Sequence, residues 1–262
     1  MGILSPESPE SRALGFRDAP GRVTSAGLGY MGRIIELREF TAFFFGIIKA
    51  LPNVADLSED EKAKAKLAAK KGEVLRYNYS IHRQFVNEIM LTRAVESFDL
   101  YILQILRLIF EAQPNLLKSE SPIDAAMVLE LRTFEHIVYH LAERKLHDLS
   151  YKPLSELQKF LKDRIGLDLF RSQETYEMAL LASEVRNLIA HNDCKVSQPF
   201  KQRTKGMANP LKINEHTKVL IDDIWLRRAS YALDAAVFDF DEAAVKKFGL
   251  KTSSQTGFVL HR

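Results

Sequence analysis

Apolar residues recur along most of this chain at the three-to-four-residue spacing of helices, with polar residues between them. The chain has no internal repeat, and it has no convincing run of the alternating apolar and polar residues that are typical of strands. The clearest example is a predicted long helix from about Ile81 to Ala112. Its apolar stripe consists of Phe85, Ile89, Val95, Phe98, Ile102, Ile105 and Ile109. The pattern predicts an all-α fold, built as a helical bundle.

Capping residues and glycines mark the ends of the other predicted helices. Ser58 and the acidic residues after it are typical of a helix start, and Gly166 and Gly249 stand where helices commonly stop. The predicted helices run from Ser58 to Lys71 with Gly72 as a candidate interruption, from Pro122 to about Leu146, from Pro153 to Ile165, from about Ser172 to His191, and from about Glu215 to Phe248.

The stretch from Phe40 to Leu51 is the most membrane-like part of the chain, but at about 12 residues it is shorter than the roughly 20 that a bilayer requires. It predicts a buried helix, either in the core or at a contact between two copies. The apolar residues of this helix are Phe43, Phe44, Phe45, Ile47 and Ile48. No secretory signal is visible, so we expect no membrane partner.

Composition narrows the class of protein. The 262 residues are 46% hydrophobic and 27% charged, as in ordinary globular proteins. A net charge of +3 means that any nucleic-acid binding depends on a local basic patch. The single cysteine, Cys194, excludes an intramolecular disulfide framework and a multi-cysteine metal cluster, which favours a cytoplasmic location.

The most informative segment is Arg186-Asn187-Leu188-Ile189-Ala190-His191. On an ideal helix Asn187 and His191 share one face with Glu184, three residues before Asn187. Arg186 lies about 140° around the helix from His191, at about 100° per residue. The two side chains therefore reach one cleft only through the long arginine stem, a loosened helix end or a second subunit.

This segment resembles the R-x(4–6)-H signature of the HEPN superfamily, in which a polar residue often follows the arginine. The surroundings are similar too: a long helix containing Glu96-Ser97-Phe98 precedes it, a linker from Glu143 leads to a short helix, and a final helix follows. The resemblance covers about residues 84–248. It implies a metal-independent endoribonuclease without a cofactor, commonly a homodimer with paired motifs. The family further suggests a toxin or phage-defence effector with an antitoxin or another regulatory partner protein.

The implied domain organisation has four parts. Residues 1–28 form a flexible arm, 29–80 an N-terminal helical extension, 81–250 the HEPN-like helical domain, and 251–262 a C-terminal tail. The arm is expected because it is rich in serine, proline and glycine.

The chemistry of RNA agrees with the implied activity. The 2′-hydroxyl of RNA can attack the adjacent phosphate, which leaves a 2′,3′-cyclic phosphate and a 5′-hydroxyl. His191 would act as general base or acid in this step. Arg186 would stabilise the developing charge, and Asn187 would orient His191 or contact the phosphate. Arg186, His191 and Asn187 are therefore the candidate catalytic residues.

A basic segment follows the motif and is a candidate RNA-binding surface. The residues assigned to it are Asn192, Lys195, Lys201, Arg203 and Lys205, with Lys212 further along. Phe200 lies among these residues and is expected to stack on a base. The simpler interpretation is an ordinary solvated surface.

Three alternatives stay open. The chain could be a non-catalytic HEPN module that binds nucleotide, RNA or a partner protein. Arg186 and His191 would then only interact with the free carbonyl groups at the end of a helix. It could be a metal-dependent hydrolase that uses a row of polar residues on one helix face, although this row lacks the H-E-x-x-H pattern. The row consists of His136, His140, Glu143 and His147. Cys194 could be a nucleophile, although only Lys195 lies nearby to lower its pKa.

Overall fold

The computed structural model describes residues 21–50, 59–118, 125–207, 211–213 and 218–254. The predicted helix starts at Ser58 and Pro122 lie outside these residues, as do most of the predicted arm and tail. The helices are α1 (Ser25–Ala50), α2 (Glu59–Ala112), α3 (Ala125–Leu131), α4 (Phe134–Ser150), α5 (Leu154–Phe160), α6 (Gln173–Asn192), α7 (Gln198–Arg203) and α8 (Asp223–Phe248). The strands are β1 (Arg22–Val23), β2 (Lys212–Ile213), β3 (Val219–Leu220) and β4 (Ser253–Ser254). The predicted all-α class is confirmed.

Helix α2 is the axis of the bundle. It continues for 54 residues without a break at Gly72, and the predicted domain boundary at 80/81 falls inside it. Its buried residues recur at helical spacing and pack against α1, α4, α6 and α8. They include Leu91, Val95, Phe98, Ile102, Ile105 and Ile109. Phe85 and Ile89 were expected on this face, but they are 59% and 45% exposed because they lie on another side of the helix.

The start of α1 is attached to α8 through buried polar groups. Asp241 accepts hydrogen bonds from the backbone N–H of Thr24 at 2.9 Å and from its hydroxyl at 2.5 Å. Tyr30, six residues after Thr24, donates to Asp234 at 2.8 Å. Strand β1 pairs with β4 just before this point. The prediction of a flexible arm is therefore wrong for residues 21–28, because these long-range contacts order them.

Several helix ends were predicted correctly, because local residues determine them. Ser172 caps α6 by accepting from the N–H of Thr175, and Gly249 ends α8 with a φ of 64°. Gly166, with a φ of 69°, follows a π-helical turn from Leu161 to Ile165 that extends α5. A 3₁₀ turn, Pro114–Leu117, follows α2.

Two predicted helices have different bounds. The helix expected to reach Leu146 is divided at Arg132, whose φ is 61°, and α4 starts anew from the cap Thr133. The last helix begins at Asp223 rather than near Glu215, because Asp222 caps it by accepting from the N–H of Trp225.

The apolar end of α1 also differs from its prediction. Phe40 and Phe43 are 60% and 68% exposed, so these two residues are not part of the core. The other alternative, a contact between two copies, stays a prediction. Phe44, Phe45, Ile47 and Ile48 have side chains outside the described set. Within the described ranges, no helix has both the length and the apolarity needed to cross a bilayer.

Candidate functional site

The Arg-Asn…His motif occupies the last two turns of α6. The helix is buried where it passes α2 and α8 and becomes exposed from Ala190 onward. Asp193 and Cys194, with φ values of 49° and 58°, turn the chain away, and the N–H of Cys194 bonds the carbonyl of Leu188 at 3.1 Å. The motif therefore lies where a packed helix emerges into solvent.

Arg186 is fixed by a carboxylate on the neighbouring helix α2. Its Nη2 donates to Oδ2 of Asp99 at 2.7 Å, and its side chain is 28% exposed. Its Nε is buried and has no hydrogen-bond partner among the described residues. Burial raises the pKa of the Asp99 carboxyl, and nearby Glu96 adds to the rise, although Arg186 opposes it. The guanidinium is thus held at one nitrogen while part of its donor capacity stays unused.

His191 is more exposed than Arg186 and Asn187. His191 is exposed, and its ring has no hydrogen-bond or ion-pair partner among the described residues. Asn187 is half-buried one turn before it. An imidazole in this setting is accessible to a substrate from solvent.

Glu184, the third residue of the predicted polar face, is not available to a ligand. It is 5% exposed and accepts two hydrogen bonds from Nη1 of Arg203, at 3.1 and 3.2 Å. Arg203 was predicted to contact RNA, and one of its nitrogens neutralises this buried carboxylate while the side chain stays 51% exposed. The prediction that Phe200 stacks on a base is wrong, because Phe200 is 3% exposed within the core.

Three lysines of the predicted RNA-binding segment are exposed to solvent. The ammonium groups of Lys195, Lys201 and Lys205 are exposed and have no hydrogen-bond or ion-pair partner in the part of the chain that the structure describes. Asn192 uses its amide to bond the carbonyl of Lys195 at 2.6 Å, which stabilises the turn after the motif. The side chain of Lys212 lies outside the described set.

The turn after α6 is held by a second segment. Lys195 forms a β-bridge with Lys218, and the N–H of Val219 donates to the carbonyl of Cys194 at 2.9 Å. Lys218 also pairs with Asp193 at 2.5 Å, which lowers the pKa of that carboxyl. This arrangement orders the backbone just beyond His191.

Cys194 is a structural residue rather than an activated thiol. It is 3% exposed, and its Sγ donates to Oε1 of Glu88 on α2 at 3.2 Å. Burial raises its pKa to about 12, and Glu88 contributes to the rise. A thiol of this kind is a poor nucleophile near neutral pH.

The histidine row on α4 does not converge on a common point. Oε1 of Glu143 forms an ion pair with Nε of Arg107 at 2.7 Å, and the ring of His147 packs edge-on against that of Tyr151. No group of three or more His, Cys, Asp or Glu side chains within the described ranges is arranged to hold a metal ion.

Sequence reasoning missed Asp99 and Glu88, acidic residues of α2 that contact the motif helix and the turn after it. Asp99 is 87 residues from Arg186, and no spacing in the sequence links the two. Only the packing of α2 against α6 brings them together.

No family model, curated protein or solved structure matches this chain. A function can therefore be assigned to this chain only from the geometry of its own residues.

Proposed function

We propose that this protein is a metal-independent endoribonuclease of the HEPN type. The observation that carries the proposal is the end of α6, where a fixed arginine and an exposed histidine occur within five residues of each other. Cleavage of RNA by its own 2′-hydroxyl needs an electrophilic group for the phosphate and a titratable group near neutral pH.

In this proposal His191 removes the proton from the 2′-hydroxyl or protonates the leaving 5′-oxygen. Histidine is the side chain that proteins use most often as a general base or acid. Arg186 donates hydrogen bonds to the phosphate oxygens as negative charge develops on them. Asn187 orients His191 or contacts the same phosphate.

Lys195, Lys201 and Lys205 supply the cationic surface that the RNA backbone requires. Asn192 contributes through the turn that carries Lys195. We further propose a cytoplasmic homodimer that serves as a toxin or phage-defence effector under an antitoxin or regulatory partner. The dimer and the defence role come from the family resemblance.

The test is incubation of the protein with end-labelled RNA in EDTA, followed by characterisation of the product ends. We expect 2′,3′-cyclic phosphate and 5′-hydroxyl ends, and no cleavage of DNA of the same sequence. Arg186→Ala and His191→Ala should each abolish cleavage. Cleavage that survives both substitutions, or that requires a divalent metal, would contradict the assignment.

Matched controls separate chemistry from folding. His147→Ala removes another exposed histidine, and Arg107→Ala removes another arginine that pairs with a carboxylate. Both variants should cleave RNA like the wild type. Circular dichroism and thermal unfolding of all four variants would identify any loss of activity that reflects loss of structure.

A non-catalytic binding module is the second candidate, and the Asp99–Arg186 pair favours it. An arginine that is already paired and mostly buried can stabilise the bundle without touching a substrate. In that case the wild type would bind RNA or nucleotide without cleaving it, and expression in cells would not be toxic.

A further inference from the structure

The buried carboxylate of Glu184 lies on the same face of α6 as His191. The two residues are seven positions apart in the helix, which places them two turns and about 10 Å from each other along its axis. Asn187 lies between them and is half-buried, whereas His191 is exposed. One face of α6 therefore carries, in order along the helix, a carboxylate, an amide and an imidazole.

Arg203 brings a cation to this face. Glu184 is 5% exposed and accepts two hydrogen bonds from Nη1 of Arg203, at 3.1 and 3.2 Å. The arginine side chain itself is 51% exposed. Its Nε and Nη2 make no hydrogen bond within the described ranges. The guanidinium is therefore held through one nitrogen and keeps other donors for a ligand that approaches from solvent.

The short helix α7 also holds Arg203 in place. Arg203 is its last residue, and Phe200, one turn earlier, is 3% exposed within the core. Ser197 caps α7 by accepting from the N–H of Phe200, and the hydroxyl of Thr204 donates to the carbonyl of Phe200 at 2.8 Å. The position of Arg203 thus depends on a buried ring as well as on a buried carboxylate.

The charge of this segment is complementary to phosphate. No acidic residue occurs in residues 194–212. Lys201 and Lys205, on either side of Arg203 in the sequence, are exposed and have no partner in the part of the chain that the structure describes. The pair with Glu184 offsets one positive charge, and the lysines leave the segment cationic. A guanidinium in such a setting binds phosphate oxygens through its planar array of donors.

We propose that Arg203 binds a second phosphate of the RNA strand whose scissile phosphate lies at His191. The RNA then runs along the exposed face of α6, from Arg203 past Asn187 to the histidine. The substrate class is consequently RNA with at least one phosphate beyond the one that is cleaved. The choice of RNA as the ligand rests on the proposed function.

The first test measures binding separately from cleavage. In a His191→Ala background, which keeps RNA intact if the chain is a ribonuclease, the anisotropy of fluorescein-labelled oligouridylate gives the affinity at several salt concentrations. Arg203→Gln combined with Glu184→Gln, which we call the double variant, removes the cation without leaving a buried carboxylate unpaired. Loss of one phosphate contact should lower the slope of log affinity against log salt by about 0.7, which corresponds to about fivefold weaker binding at roughly 0.1 M salt.

Two controls separate the phosphate contact from effects on the fold. Glu184→Gln alone keeps the guanidinium and an oxygen acceptor for its Nη1, so the slope should equal that of the background protein. Arg107→Gln combined with Glu143→Gln removes another arginine–glutamate pair, in which each side chain is 37% exposed. It should also leave the slope unchanged. A slope that either control lowers as much as the double variant does would overturn the inference.

The second test uses the length of the substrate, in a chain that retains His191. A dinucleoside monophosphate has only the phosphate that is cleaved, whereas oligouridylate also has neighbouring phosphates. The double variant should raise KM for oligouridylate about fivefold with kcat unchanged. It should leave kcat/KM for the dinucleoside monophosphate as it is. An equal loss for both substrates would show that no second phosphate is involved and would overturn the inference.

The outcomes distinguish this inference from the proposed function. A slope that depends on Arg203, without any RNA cleavage by the wild type, would support the phosphate contact and overturn the nuclease. Cleavage by the wild type together with unchanged slope and affinity in the double variant would overturn this inference alone. Absence of oligouridylate binding by the His191→Ala protein would also overturn it, whether or not the wild type cleaves RNA.

Discussion

At the scale of single residues, Arg186 is the group whose environment most constrains the chemistry. One of its nitrogens is bound to Asp99, and another, Nε, is buried without a partner in the part of the chain that the structure describes. An unmade hydrogen bond at a buried donor costs about 1–3 kcal/mol, so the pair with Asp99 does not fully satisfy the guanidinium. The orientation of Arg186 therefore depends largely on one carboxylate.

Asp99→Asn should reduce RNA cleavage by about tenfold or more, because a displaced catalytic group loses much of its effect. The loss should appear in kcat rather than KM, since the lysine contacts to RNA remain. The free energy of unfolding should change by less than about 1 kcal/mol, as for other partly exposed ion pairs. Steady-state kinetics and urea unfolding measure the two quantities. Glu143→Gln, which breaks the Arg107 pair of similar exposure, is the control, and an equal loss of kcat there would contradict the positioning role of Asp99.

Cys194 should resist alkylation in the native protein. With its pKa raised to about 12, the thiol has roughly a thousandfold less thiolate than an ordinary cysteine at any pH well below both values. Burial blocks the reagent as well. Titration with a disulfide reagent at mildly alkaline pH should show one thiol that reacts only after urea is added. Rapid reaction of the folded protein would show that the turn after α6 opens readily.

At the scale of secondary structure elements, the contact between Asp241 and the start of α1 joins the two ends of the described chain. Asp241→Ala removes the acceptor for the N–H and hydroxyl of Thr24 and one acceptor near Tyr101. We expect a loss of about 1–3 kcal/mol in the free energy of unfolding, because buried donors are left unpaired. Urea unfolding measures it. Glu242→Ala, an exposed change at the next residue of α8, should cost less than about 0.5 kcal/mol. Similar losses in both variants would exclude a special role for Asp241.

The same carboxylate predicts a dependence of stability on pH. Burial raises the pKa of Asp241, although hydrogen bonds from Thr24 and Tyr101 oppose the rise. The folded protein therefore binds more protons than the unfolded chain between the two pKa values, and the free energy of unfolding falls as pH rises through that interval. Asp241→Asn removes this contribution. Its stability deficit relative to the wild type should be larger in acid than at neutral pH, as measured by urea unfolding at several pH values. A deficit that grows with pH would contradict the raised pKa.

Features of the elements that depend on nearby residues could be predicted from the sequence, and those that depend on distant ones could not. Ser172, Gly166 and Gly249 act within a turn of their own helices, so the bounds near them were correct. The ordered start of α1 depends on Asp241, which is 217 residues away from Thr24. The sequence therefore predicted a flexible arm there instead. The exposure of Phe85 likewise depends on which side of α2 its neighbours cover. Within the candidate site, the motif itself could be found, but its partner Asp99 could not.

At the scale of the whole molecule, the two candidate catalytic side chains diverge. Arg186 reaches sideways to α2, whereas His191 is exposed near the end of α6. The angle of about 140° between them on one helix makes joint contact with a single phosphate difficult within one copy. A second copy placed across the motif would provide the missing group, and a two-fold axis would do so for both subunits at once.

The proposed homodimer therefore predicts complementation between two inactive proteins. Arg186→Ala supplies an intact His191, and His191→Ala supplies an intact Arg186, so a hybrid dimer restores one complete centre if the two groups act across the interface. We expect partial recovery of RNA cleavage when the two variants are unfolded together and refolded as a mixture, and none when they are refolded apart. Light scattering at micromolar concentration should give the mass of a dimer for each. A monomeric mass would contradict the shared cleft, because neither copy alone brings Arg186 and His191 to one side of the helix. A dimeric mass without recovery would place both groups in the same subunit, and the arginine would then have to leave Asp99 during the reaction.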